Sequence, residues 1–212
     1  MTINTAAQAP RHPTEPAAAA TSAEVIRPDS RIDLRAAERA MSDLLLALGR
    51  DPGDPHVVDT PRRVARYFRE MLEPATFTLT TFPNDGEYHD MVLVRDIEFT
   101  SLCQHHLVPF RGIAHVAYLP GERVVGLSKL ARVVDHFARD LQTQERLTTQ
   151  IADFLQERLQ ADGVAVQLEA EHLCMSMRGV RSASARTTTC ALRGQLDTNP
   201  TLRGEFRAAV RP

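Results

Sequence analysis

Residues 101–110 read Ser101-Leu102-Cys103-Gln104-His105-His106-Leu107-Val108-Pro109-Phe110. A thiol and two imidazoles are packed between two apolar runs rich in β-formers, Met91–Thr100 and Gly112–Leu119. Each run predicts a strand, the second ended by Pro120-Gly121, so the chemistry sits where two strands meet. A second cluster, Glu171-His172-Leu173-Cys174, lies in the run Val164–Met175, which alternates with period two. On an extended strand Val164, Val166, Leu168, Ala170, His172 and Cys174 share one face, so His172 and Cys174 project to the same side.

Between the two clusters, Val124-Val125-Gly126-Leu127 leads into a helix with Ser128 as N-cap and Leu130, Val133, Val134 and Phe137 inward. A second helix runs from about Thr143, with Leu147, Ile151, Phe154, Leu155 and Leu159 inward, and ends at Asp162-Gly163. Thr187–Leu192 reads as a further strand, and Asn199-Pro200 opens a closing helix carrying Leu202, Phe206 and Val210. Upstream, Asp33 caps a helix that Gly49 stops. Thr60 caps another, with Pro61 at its first position. Arg62, Arg63, Arg66 and Arg69 fall mostly off the apolar face of that helix. The order is helices, two strands, two helices, two strands, helix, which predicts an α+β fold with a mostly antiparallel sheet. Residues 1–30 are rich in Ala, Pro and Thr and predict a disordered tail. Residues 31–75 form an N-terminal helical region and residues 76–212 the main domain.

The composition excludes several classes. The 212 residues are 43% hydrophobic and 25% charged, as in an ordinary soluble domain. A net charge of −2 gives no basic field for nucleic acid, and no apolar run approaches a membrane span. Three cysteines without an export signal predict a cytoplasmic setting with free thiols.

Cys103, Cys174, His105, His106 and His172 are a donor set for a transition metal, best suited to zinc. If residues 103–106 are extended, Cys103 shares a face with His105. If they turn, Cys103 meets His106 at Cys-x-x-His spacing, and spacing leaves both open. The bland alternative is cysteines as small core hydrophobes and histidines as satisfied core polars. Two clusters of matching chemistry favour the metal, whereas Cys190 has no histidine near it in sequence and reads as buried core. Three ligands and an open position would lower the pKa of a bound water to about 7, which points to hydrolysis, with a free histidine moving protons.

Gly126-Leu127-Ser128-Lys129 places a hydroxyl and an ammonium at a helix N-terminus, where unpaired N–H groups attract anions. Arg132 lies one turn on, and Arg178 and Arg181 follow the second cluster. Taken alone, this is an ordinary helix start with solvated charges. Gln144-Glu145-Arg146 opens the next helix, and a carboxylate there can accept from the N1–H and 2-amino group of a guanine edge.

Together these motifs resemble the GTP cyclohydrolase I family. The resemblance runs from about Asp33 to Arg211. It rests on Asp59-Thr60-Pro61-Arg62-Arg63-Val64-Ala65, Leu102-Cys103-Gln104-His105-His106, Gly126-Leu127-Ser128-Lys129, Gln142-Thr143-Gln144-Glu145-Arg146-Leu147 and His172-Leu173-Cys174 with Arg178-Gly179, in that order. It implies the T-fold, or tunnelling fold: an antiparallel four-stranded sheet with two helices between its second and third strands, preceded by N-terminal helices. It also implies a homodecamer of two pentameric rings with active sites at subunit interfaces. Zinc ligation is implied for Cys103, His106 and Cys174, and non-ligand catalysis for His105 and His172. Gln144 and Glu145 would anchor guanine. Ser128, Lys129, Arg132 and Arg178 would hold the triphosphate, with Arg63 reaching in from a neighbour. The implied reaction hydrolyses GTP at C8, opens the ring, releases formate, and rearranges to 7,8-dihydroneopterin triphosphate for tetrahydrofolate or pterin synthesis. The alternatives are a paralogue feeding a deazapurine or other pterin-derived pathway, and a zinc- and GTP-binding module without chemistry. Two departures stand out. The family's common Cys-Glu-His-His reads Cys103-Gln104-His105-His106 here, and the run Cys190–Leu196 is atypical.

Overall fold

The computed structural model describes residues 32–211. The tail expected at residues 1–30 lies outside them. Helix α1 (Leu34–Ala47) starts where the Asp33 carboxylate accepts from the Ala36 N–H at 2.9 Å. It ends just before Gly49, whose φ of +71° suits a residue without a Cβ. Helix α2 (Thr60–Leu72) is capped by Asp59, so Thr60 is its first helical residue and not the cap. The Asp59 side chain makes no capping bond because it pairs with Arg62 and Arg63, at 3.1 Å each. The Arg62 hydrogen bond, ahead of the other contributions, holds the Asp59 carboxyl below its usual range.

Strand β1 (Thr81–Pro83) precedes the long strands β2 (Val92–Cys103) and β3 (Pro109–Leu119). Then come β4 (Arg123–Val125), α3 (Leu127–Ala138), β5 (Leu141–Gln142) and α4 (Gln144–Leu159). The chain closes with β6 (Gly163–His172), α5 (Leu173–Ser176), β7 (Thr187–Gly194), α6 (Gln195–Thr198) and α7 (Pro200–Ala209). The fold is α+β. The main sheet has the order β5-β2-β3-β6-β7, and β1 pairs separately with β4. The long strands are antiparallel, and α3 and α4 lie in sequence between β3 and β6. The sheet differs from the expected four strands because Leu141–Gln142 adds a short parallel edge to β2.

Three local expectations are corrected. Gly126, not Ser128, occupies the N-cap of α3, so Ser128 lies inside the first turn. The strand expected over Val164–Met175 stops at His172, because Phe110↔His172 is the last β3–β6 pair and the chain then winds into α5. Cys190, expected in the core, is exposed on β7.

Alternation explains the two faces of the sheet. Phe110, Ala114, Val116, Tyr118, Val164, Val166 and Leu168 pack beneath Leu130, Val133 and Val134 of α3 and Leu147, Ile151 and Leu155 of α4. On the other face Ala117, Leu119 and Ala165 are covered by Leu196 of α6 and Phe206 of α7. At the end of the sheet near the Cys103–Pro109 turn this second face carries Arg111 and Glu171, 3.8 Å apart. Strands β3 and β6 approach closely here: a Cβ on Gly112 would lie 1.9 Å from the Glu169 carbonyl oxygen. Among the described residues, no helix is long and apolar enough to cross a membrane.

A bulge in β2 between Val94 and Ile97 lets the Asp96 N–H donate to His115 Nδ1 at 3.3 Å. His115 is 5% exposed. Burial, the leading cause, lowers its pKa, and Arg95 adds to this, while Asp96 and Glu169 oppose it. The folded state therefore binds this proton less readily than the unfolded chain. Stability is full above the ordinary imidazole value of about 6.5 and falls as pH drops through it toward the lowered value. Urea midpoints measured at pH 7.5 and pH 5.5 are expected to fall with acidification, and to fall less in His115→Gln.

Candidate active site and metal centre

The loop between β2 and β3 is short because the strands pair down to Leu102↔Pro109. The Cys103 N–H donates to the Val108 carbonyl at 3.0 Å, and the Cys103 carbonyl accepts from His106 and Leu107 at 3.3 and 2.9 Å. Leu107 takes a φ of +54°, a sparsely populated region for a leucine. The chain therefore turns after Cys103. This brings His106 Nδ1 to 3.8 Å and His105 Nδ1 to 3.7 Å from the Cys103 sulfur. Strand β5 braces the turn, since the Gln104 N–H donates to the Gln142 carbonyl at 3.0 Å. Gln142 is itself fully buried. Its amide donates to the Phe137 carbonyl and to Gln150, and accepts from Arg146 Nε at 2.8 Å. Arg146 also donates to the Leu141 carbonyl.

Cys174 reaches the turn from α5. The donor atoms of Cys103, His106 and Cys174 all lie within 4.8 Å of one another. Burial, and then the neighbouring Cys103 thiol, push the Cys174 pKa up, while Arg178 opposes the rise. A cation beside Cys174 would offset this rise by favouring the thiolate. Bonds of about 2.3 Å to sulfur and 2.05 Å to nitrogen at tetrahedral angles put two zinc ligands roughly 3.6 Å apart. The 3.8 Å between Cys103 and His106 fits that separation. Two sulfurs and one imidazole suit zinc, and three protein donors leave one position open.

His172, the last residue of β6, lies two residues before Cys174. Its ring stacks on Phe110 with centroids 4.7 Å apart and planes 1° from parallel. Its Nε2 lies 2.7 Å from Gln144 Oε1. Burial lowers the His172 pKa, and Glu145 partly restores it. Glu145 is exposed in the first turn of α4, whose cap Thr143 accepts from the Arg146 N–H at 3.3 Å. Gln144 is only 1% exposed, and both ends of its amide are engaged by protein.

The structure thus brings Cys103, His106 and Cys174 together, with His105 at the Cys103 sulfur, Gln144 on His172, and the charges of Glu145 and Arg178 acting on His172 and Cys174. Ser128 and Arg132 are exposed and Lys129 half-buried, all near the start of α3. Arg63 lies on α2, paired with Asp59. Among the described residues, none of these four makes a hydrogen bond or ion pair to Cys103, His106 or Cys174. His105, His106, Leu107, Met177 and Val180 are exposed, so one chain leaves the site open on that side. Sequence reasoning missed the Phe110 stack and the Gln142–Arg146 brace. The only signal for the brace was that Gln142 and Arg146 flank the Gln144-Glu145 pair.

Comparison with known proteins bears on the same residues. The family model described as GTP cyclohydrolase I matches residues 37–211. GTP cyclohydrolase 1 of Streptomyces coelicolor is 54% identical over 171 residues, covering 77% of this chain and 84% of that protein. The Mycolicibacterium gilvum protein of that name is 50% identical over 191 residues, covering 87% and 93%. Deinococcus radiodurans has another, 49% identical over 170 residues, covering 78% and 79%. The match spans Cys103, His106 and Cys174, the α4 start and the α3 turn, and by it the chain belongs to the GTP cyclohydrolase I family.

Proposed function

We propose that this chain hydrolyses GTP to 7,8-dihydroneopterin triphosphate and formate. The observation that carries the reading is the convergence of Cys103, His106 and Cys174 to within 4.8 Å, with His172 two residues before Cys174 at the end of β6. A zinc ion held by these three would supply Lewis acidity, which makes water nucleophilic at neutral pH.

The remaining work belongs to the chain's own residues. Glu145 accepts from the N1–H and 2-amino group of guanine and so orients C8 toward the cluster. Ser128, Lys129, Arg132 and Arg178 hold the triphosphate, helped by the N-terminus of α3. His172 gives a proton to N7 as water adds at C8, and His105 moves protons at the ribose during rearrangement. Arg63 completes the site from a neighbouring subunit.

We extend the same reading to assembly. Residues 76–212 act as the T-fold domain, with the helices of residues 31–75 before it. Ten copies form two pentameric rings in which the sheets close into a barrel. Supporting this, α1 buries none of its residues in the single chain, and Leu44, Leu46 and Leu48 are exposed. A reducing cytoplasm would keep Cys103 and Cys174 available as thiolates.

The test is incubation of zinc-loaded protein with GTP, followed by mass spectrometry. The expected result is dihydroneopterin triphosphate, its formation stopped by a chelator and restored by zinc. Unchanged GTP with zinc bound would favour a binding module without chemistry.

A further inference from the structure

The resemblance implies a guanine contact for Gln144, but the structure gives this side chain another task. Gln144 Nε2 donates to the Thr187 carbonyl at 2.8 Å and the Leu168 carbonyl at 3.2 Å. Thr189 Oγ1 lies 3.1 Å from the same nitrogen. A backbone carbonyl only accepts, so the amide nitrogen must face β6 and β7, and the amide cannot be flipped. Oε1 therefore points at His172 Nε2, 2.7 Å away. An amide oxygen has no proton to give, so Nε2 must carry one. In the neutral imidazole the free lone pair is then on Nδ1.

Two further contacts hold the arrangement in place. Thr148 Oγ1 donates to the Gln144 carbonyl at 2.7 Å and lies 2.6 Å from Thr189 Oγ1, which ties the start of α4 to β7. The parallel Phe110 ring fixes the plane of His172. The amide thus sets the rotation of the imidazole within that plane as well as its tautomer.

We propose that Gln144 is a positioning residue: it holds the Nε2–H of His172 in place, so that Nδ1 is the atom that takes up a proton and then gives it to the substrate. The inference rests on the role given to His172 above. It places the specificity for guanine on Glu145 and leaves Gln144 acting through His172.

The test compares Gln144→Met, His172→Ala and the double variant for kcat, KM for GTP and bound zinc. Methionine has similar volume, but its thioether is only a weak acceptor for Nε2 and has no N–H to hold β6 and β7. The expected result for Gln144→Met is a kcat lower by about 10–100-fold, as for other partners that orient a functional histidine. Its KM should stay within about twofold of wild type, because uniform substrate binding is untouched. The double variant should be no slower than His172→Ala alone, since residues acting as one unit are not additive. A raised KM at unchanged kcat would overturn the proposal in favour of direct guanine contact. Multiplying losses in the double variant would overturn it as well. The two readings fail separately. Full turnover in His172→Ala removes the role of His172 itself, whereas an inactive His172→Ala beside a normal Gln144→Met removes only the inference about Gln144. Gln144→Glu serves if the methionine variant does not fold, because a side chain of the same length still offers an oxygen to Nε2. A kcat within about tenfold of wild type at unchanged KM supports positioning. A loss as complete as in His172→Ala, with zinc and fold intact, contradicts it.

Discussion

His172→Ala is expected to lower kcat by about 10²–10⁴-fold, the usual worth of a positioned acid–base group, while zinc content and GTP binding stay near wild type. His172 is outside the three-donor group, so removing it leaves Cys103, His106 and Cys174 within reach of one another. In the proposed reaction, what disappears is the group that protonates the base. The substitution also strands the Gln144 oxygen in the interior and removes the ring stacked on Phe110. An unpaired buried acceptor costs about 1–3 kcal/mol, so thermal stability should drop modestly with the fold retained. Steady-state kinetics with metal analysis and a melting curve separate these effects. Turnover at the wild-type rate in a zinc-loaded variant would remove His172 from the reaction.

Cys174→Ser is expected to abolish zinc binding and GTP turnover together. Serine keeps the shape, but its hydroxyl does not ionise near neutral pH and is a poor zinc ligand beside a thiolate. Cys103 and His106 are then left as two donors, too few for a stable site. The pH dependence has a definite sign. Burial and Cys103 raise the Cys174 pKa, so its proton must leave as the metal binds. Zinc affinity in the unmodified protein should accordingly weaken as pH falls. Cys190→Ser is the control: it lies on β7, away from the donor group, and should keep both zinc and activity. Metal analysis showing full zinc occupancy in Cys174→Ser would exclude Cys174 as a ligand.

Much of this was legible in the chain because the relevant signals are local. Helical spacing marked α3 and α4, Asp33 marked the start of α1, and two clusters of cysteine and histidine held the three donors that the structure brings together. The failures arise where tertiary pairing decides. The period-two pattern of Val164–Met175 continues through Cys174, yet a strand needs a partner, and β3 offers none beyond Phe110. Cys174 reaches the cluster from a helical turn instead of a strand face. The edge strand Leu141–Gln142 is too short to carry a pattern and exists because β2 runs alongside it. The turn after Cys103 depends on Leu107 adopting a positive φ, which its residue type does not announce. The engagement of Gln144 depends on carbonyls of β6 and β7 distant in sequence.

The most direct measurement uses GTP carrying carbon-13 at C8, incubated with the zinc-loaded protein and followed by carbon NMR. The expected result is transfer of the label to free formate, one for each GTP consumed, with unlabelled dihydroneopterin triphosphate as the other product. Label that stays in intact purine while zinc is bound at Cys103, His106 and Cys174 would contradict hydrolysis at this site.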